Sequence, residues 1–104
     1  MDVLSICKAL SNETRLQILI WLKEPEVNFP GGCEHLPENV DFKNGVCAGM
    51  IHKKTGLAQS VISHYLDILI KAGLLESLRV GKWTYYRRNE KTIKEFGKYI
   101  KKEL

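Results

Sequence analysis

The sequence predicts a small, mainly α domain of the α+β class. The expected order is two helices, a long loop, a helix–turn–helix pair, a β-hairpin and a last helix. Three observations carry this. Apolar residues recur at helical spacing through most of the chain. Two β-prone runs flank the dipeptide Gly81-Lys82. An irregular stretch, 25–45, separates the first helix pair from everything after it. At 104 residues, with 44% hydrophobic and 27% charged content, the chain 1–104 reads as one domain, neither disordered nor collagen-like.

Residues 2–10 place Val3, Ile6, Cys7 and Leu10 on one helical face. Ser11-Asn12 then stops that helix and caps the next, with Glu13 in the first turn where its charge suits the helix dipole. Leu16, Leu19, Ile20 and Leu22 continue the second helix, which stops before Pro25 because the residue ahead of proline resists the helical basin. Three prolines, Gly31-Gly32, Asn39 and Asn44-Gly45 leave the following stretch without a period. A loop of that length is uncommon in a compact domain. A third helix is expected from about Val46 to Lys54, ended by Gly56.

From Gln59, about 100° per residue puts Val61, Ile62, Tyr65, Leu66, Ile68 and Leu69 on one arc. Gln59, Ser60, Ser63, His64, Asp67 and Lys71 take the opposite arc, with Ile70 the apolar exception. Ala72-Gly73 supplies a glycine stop. The runs 74–80 and 83–88 around Gly81-Lys82 read as a hairpin with a type I′ or II′ turn. Asn89 then caps a helix whose stripe is Ile93, Phe96, Ile100 and Leu104.

Charge is divided unevenly along this order. Residues 1–46 carry four basic and seven acidic residues, net −3, whereas residues 47–104 carry twelve basic and five acidic, net +7. A basic half beside an acidic one is the asymmetry expected of a surface that meets a polyanion. Residues 47–72 fit a helix–turn–helix whose second helix would enter the DNA major groove N-terminus first. Gln59, Ser60, Ser63 and His64 occupy the outer arc at that end. Glutamine pairs in bidentate fashion with adenine, and serine donates or accepts at a base or phosphate. Arg79, Lys82, Arg87 and Arg88 put four cations on the hairpin, placed to reach phosphates or the neighbouring minor groove. The competing reading is an ordinary α+β domain with a solvated helix face. Turn, uncharged polar face and cationic hairpin together favour double-stranded DNA as partner. No nucleophile–base spacing, glycine-rich phosphate loop or paired-carboxylate frame suggests an enzyme.

The string Thr55-Gly56-Leu57-Ala58-Gln59-Ser60-Val61-Ile62-Ser63-His64-Tyr65-Leu66 carries a resemblance, continued by Leu69, 72–75 and Gly81-Lys82-Trp83-Thr84-Tyr85-Tyr86. Together with Leu10-Ser11-Asn12-Glu13-Thr14-Arg15-Leu16-Gln17-Ile18-Leu19, it resembles the winged helix-turn-helix repressors of the ArsR/SmtB family. The hairpin would be the wing. The resemblance implies a homodimeric transcriptional repressor on an inverted-repeat operator, paired through helices 1–10 and 89–104, with many relatives released by metal, metalloid or redox signals. Ala58 stands where the family commonly has a capping serine, with Ser60 in the first turn placed to compensate. The alternative within the same fold is a winged-helix protein-interaction module without specific DNA affinity.

The family's metal sites do not transfer intact. Residues 89–104 hold no histidine or cysteine, and Cys47-Ala48-Gly49 has one thiol where a C-x-C pair would stand. Three readings of Cys7, Cys33 and Cys47 therefore stand side by side. They are inert thiols, Cys7 being a buried apolar residue; or Cys33 and Cys47, with Cys7, form a thiol switch; or Cys7, Cys33, His35 and Cys47 supply ligands for a metal or metalloid ion, the one cofactor contemplated. No apolar run approaches the ~20 residues of a membrane span, and Met1-Asp2-Val3-Leu4 has no export layout, so the expected location is cytoplasmic with reduced thiols.

Overall fold

In the computed structural model, which describes residues 1–31 and 36–104, helix α1 (Val3–Leu10) opens on Asp2, whose carboxylate accepts from the Ser5 amide at 3.1 Å. Helix α2 (Glu13–Trp21) opens the same way on Asn12, which accepts from the Arg15 amide at 3.0 Å. Arg15 reaches back to close the helix before it: Nε donates to the Ala9 carbonyl at 2.7 Å and Nη2 to that of Lys8 at 3.2 Å. Its guanidinium also lies 5.1 Å from the Tyr65 ring centre, and Asn12 donates to the Tyr65 hydroxyl at 3.3 Å. One arginine thus ties α1 and α2 to the helix beneath them.

Pro25 ends α2 as expected and then, at an N-terminal position where its missing N–H costs nothing, starts a four-residue helix, α3 (Pro25–Asn28). That turn lies inside the stretch read as irregular. Its physical reason is the burial of Pro25 and Phe29, with Phe29 edge-on to Trp21 at 6.3 Å.

The third helix starts later than its sequence suggests. Val46 and Cys47 form a strand, β1 (Val46–Cys47), and α4 (Ala48–Thr55) follows it. Gly56, at φ 70, turns the chain into α5 (Gln59–Lys71). α5 ends in a paired 6→1 and 5→2 arrangement, Leu74 N to Leu69 O at 3.0 Å and Gly73 N to Ile70 O at 2.9 Å, with Gly73 left-handed at φ 80. Strands β2 (Leu75–Val80) and β3 (Trp83–Arg88) pair antiparallel with Val80 opposite Trp83, so Gly81-Lys82 is a two-residue loop. Gly81 has φ 62 and Lys82 is not left-handed, the type II′ pattern. β1 adds to the free edge of β3, with Val46 opposite Tyr86, making a three-stranded antiparallel sheet in the order β1-β3-β2. Helix α6 (Glu90–Glu103) opens on Asn89, which caps the Thr92 amide at 3.3 Å.

The core lies between α1, α2, α4, α5 and the start of β2. Ile6, Ile18, Ile51 and Leu69 are fully buried there, and burying a side chain of this size stabilises by roughly 1.5–3 kcal/mol. On α5, Ile62, Leu66 and Leu69 are the buried residues, Tyr65 and Ile68 are half-buried, and Val61 is exposed. Ile70, assigned to the polar arc, packs on the core. Burial at the edges of the arc follows what packs there: β2 turns back beside the last turn of α5. A second, smaller core of Phe42, Cys47 and Tyr85 lies between the sheet and the segment that leads into β1.

Candidate nucleic-acid interface

The α4–α5 pair presents its polar face as a consequence of how α5 buries its other side. With Ile62, Leu66 and Leu69 turned into the core, Gln59, Ser60, Ser63 and His64 are all exposed. Ala58, at the N-cap position, makes no side-chain cap, and Ser60 supplies none. Thr55 stiffens the turn instead, donating to the His52 carbonyl at 2.9 Å and accepting from the Leu57 amide at 3.3 Å. A hollow of about 50 Å³ between the helices is lined by Gly49, His52, Gln59 and Ser63 among others. Farther along α5, Asp67 pairs with Lys71 at 2.9 Å. That hydrogen bond, then the carboxylate charge, raises the Lys71 pKa above its ordinary value. Burial first, and the Asp67 charge second, raise that of Tyr86. Both groups stay protonated at neutral pH, so neither changes its charge near pH 7.

The four hairpin cations divide into two pairs. Arg79 and Lys82 sit at the tip, exposed. Arg79 Nε donates to the Gly81 carbonyl at 3.1 Å, and the Lys82 ammonium stands 5.3 Å from the Trp83 ring centre. Arg87 and Arg88 sit at the base, opposite Glu76 and Leu75. Arg87 donates to Glu76 at 3.1 Å and to the Lys43 carbonyl at 3.3 Å, and it stacks 4.1 Å from the Phe42 ring centre. Arg88 holds Glu90 through Nε at 2.9 Å and Nη2 at 3.2 Å, with only 12% of its side chain exposed. The sequence reading grouped these four as one cationic ribbon. The structure gathers the α5 residues and separately the tip pair, and holds the base pair in contacts within the chain. The signal for Glu76 was available: a two-residue loop at 81–82 sets residues 76 and 87 opposite each other.

The thiols are far less symmetrical than their spacing suggests. Cys7 is exposed, contrary to the reading of it as a buried apolar residue, because α1 turns Ile6 and Ala9 inward instead. Cys47 is buried in the smaller core beside Tyr85 and Phe42. Cys33 and His35 lie outside the described residues. Among the described residues no group of three or more His, Cys, Asp or Glu is placed to hold a metal ion. Under native conditions an alkylating reagent is expected to label Cys7 at least roughly tenfold faster than Cys47, since reaction follows exposure. Equal rates by peptide mass mapping would contradict the burial of Cys47. No helix of the described residues is long and apolar enough to cross a membrane.

Comparison with known proteins adds to this geometry. A family model described as "Bacterial regulatory protein, arsR family" matches residues 44–77, the span of β1, α4, α5 and the start of β2. The chain is 45% identical over 105 residues, the full length of both, to an uncharacterised HTH-type transcriptional regulator, YbzH of Bacillus subtilis. It is 30% identical to another, MJ1325 of Methanocaldococcus jannaschii, over 91% of this chain and 86% of that one. Among solved structures it is similar to the Mycobacterium bovis protein Mb0332, described as a homodimeric winged helix-turn-helix DNA-binding domain and a possible ArsR-family regulator. The TM-score is 0.64 at 28% identity, over 91% of this chain and 71% of that one.

Proposed function

The chain belongs to the ArsR family of winged helix-turn-helix, DNA-binding transcriptional regulators, and from that premise we propose that it acts as a homodimeric repressor on an inverted-repeat operator. The observation that carries this reading is the exposed, uncharged polar face of α5, with Gln59, Ser60, Ser63 and His64 at its N-terminal end. In the bound state α5 lies in the major groove, Gln59 and Ser63 read base edges, and Ser60 and His64 contact bases or the adjoining backbone. Arg79 and Lys82 at the wing tip take phosphates. Arg87 and Arg88 hold the wing base to the loop and to α6, and so position the tip without touching DNA.

Dimerisation is supported by what the protomer leaves uncovered. α6 is strongly one-sided, with Ile93, Phe96 and Ile100 along one stripe; Ile93 and Phe96 are only half-buried against the core, Ile100 is exposed, and no residue of the helix is fully buried. On α1, Leu4 is 72% exposed. A two-fold axis pairing these helices would set two copies of α5 about 34–36 Å apart, one turn of DNA.

A gel shift on the DNA upstream of the protein's own gene, at about 0.15 M salt, tests the reading. A saturable shift that outlasts nonspecific competitor is expected. Arg79→Ala/Lys82→Ala should weaken specific and nonspecific binding alike and lower the salt slope by about 0.9 for each phosphate that is no longer neutralised. No shift at micromolar protein would favour a protein-docking role for the same fold.

A further inference from the structure

We propose that the cleft at the base of the wing binds a small polyanion, a molecule bearing two or more negative charges on phosphate or carboxylate groups. The cleft encloses about 340 Å³ between the end of α2, the turn at Lys43-Asn44, the base of the hairpin and the opening of α6. That volume falls within the range of metabolite pockets. Five cations line it, Lys23, Lys43, Arg87, Arg88 and Lys91, against two carboxylates, Glu76 and Glu90.

The two carboxylates are already engaged by the arginines. Among the described residues the ammonium groups of Lys23, Lys43 and Lys91 have no ion-pair partner. Three separate chain segments thus bring the five cations together, and against the two carboxylates the cleft keeps a surplus of three positive charges. An anion seated among them would relieve their mutual repulsion. The arginines also keep capacity to spare. Each guanidinium has five N–H donors, and the contacts within the chain use two of them on Arg87 and two on Arg88. Charge-assisted hydrogen bonds to phosphate or carboxylate are the strong ones, and they gain further where the wall excludes part of the solvent.

The wall is built rather than draped. Asn44 is left-handed at φ 68, the one such non-glycine among the described residues. A Cβ on Gly45 would come within 2.5 Å of the Phe42 ring, so the turn accepts only glycine there. The same ring supports the Arg87 guanidinium from below. The N-terminal end of α6, with its partial positive charge, closes the far side. Arg87 lies four residues along β3 from Trp83, about 13 Å from the wing tip at the rise of a strand, so the cleft is set apart from the tip cations. An occupant would brace the wing base against α6 and the end of α2. This site stands independently of the DNA reading, and its absence would leave that reading intact.

Isothermal titration of the full chain with pyrophosphate, at about 0.15 M NaCl, tests the proposal. Saturable binding of one pyrophosphate per protomer is expected. Lys43→Ala/Lys91→Ala should weaken it at least tenfold. Lys101→Ala/Lys102→Ala removes the same charge from the far end of α6 and should change it less than twofold. The titration repeated on protein saturated with duplex DNA should give the same affinity. Absence of saturable binding would overturn the proposal, and so would equal losses from the two lysine pairs. Displacement of pyrophosphate by duplex, with Lys43→Ala/Lys91→Ala losing duplex affinity by the same factor, would reassign the cleft to the DNA backbone.

Discussion

Gln59→Ala/Ser63→Ala is expected to remove sequence-specific operator binding while sparing the nonspecific component. A bidentate side-chain–base pair discriminates by ~1–3 kcal/mol, so with the Ser63 contact the loss is on the order of a hundredfold in affinity for the operator over random DNA. The two side chains sit one helical turn apart on the exposed arc of α5, and both are exposed, so neither contributes to the core. Alanine is also the best helix former. The variant should therefore unfold within about 0.5 kcal/mol of the parent. Operator competition with random duplex, at fixed salt, reads the effect. Equal weakening on operator and random sequence would mean that these residues touch phosphates, and that bases are read elsewhere.

A second large effect is expected at the other end of the molecule. Light scattering should find a dimer, twice the 11.9 kDa of the chain, and Leu4→Glu/Ile100→Glu should convert it to a monomer. Leu4 is 72% exposed and Ile100 41% exposed in the protomer, so neither supports the fold of a single copy. Placing carboxylates in a shared apolar contact adds an uncompensated desolvation cost. Two linked recognition helices gain about 10²–10⁴ in affinity from effective concentration alone, so the monomer should bind the full operator at least a hundredfold more weakly while keeping its thermal stability per chain. Val27→Glu is the control. Val27 is 66% exposed on α3, an element outside the proposed interface, and its substitution should change neither mass nor affinity. A Leu4→Glu/Ile100→Glu protein that remains dimeric would place the interface on another surface.

Much of this was legible in the residues because it depends on neighbours in sequence. Asp2, Asn12 and Asn89 cap helices with their own side chains, each three residues from the amide it satisfies. Gly73 stops α5, and Gly81 makes the hairpin turn, because each must be left-handed. The polar face of α5 follows from a 3.6-residue period, and its four candidate residues are exposed as that period requires. Where the period misled, at Val61 and Ile70, the helix axis was right and the neighbour was missing: burial at an arc's edge depends on what packs there.

The roles of Arg87 and Arg88 show the opposite case. As isolated residues they are cations on a basic ribbon. Their environment depends on Phe42 and Lys43, far earlier in the chain, and on the first turn of α6. No local pattern encodes a contact of that separation. β1 is similar: two residues make a strand only because the edge of β3 offers unpaired amides and carbonyls. Its formation buries Cys47, which bears directly on how readily that thiol can act as a switch.

The sequence by itself therefore determined the main helices, the position of the hairpin turn, the polar reading face and the uneven charge, all of which are set by short-range backbone preference and side-chain period. Tertiary structure alone decided which cations are free and which are bound, where the smaller core closes, which thiol is exposed, and that three segments carry unneutralised charge to one cleft. Those outcomes are sums over residues distant in sequence, where electrostatics and packing act through space and the chain's periodicity has no hold.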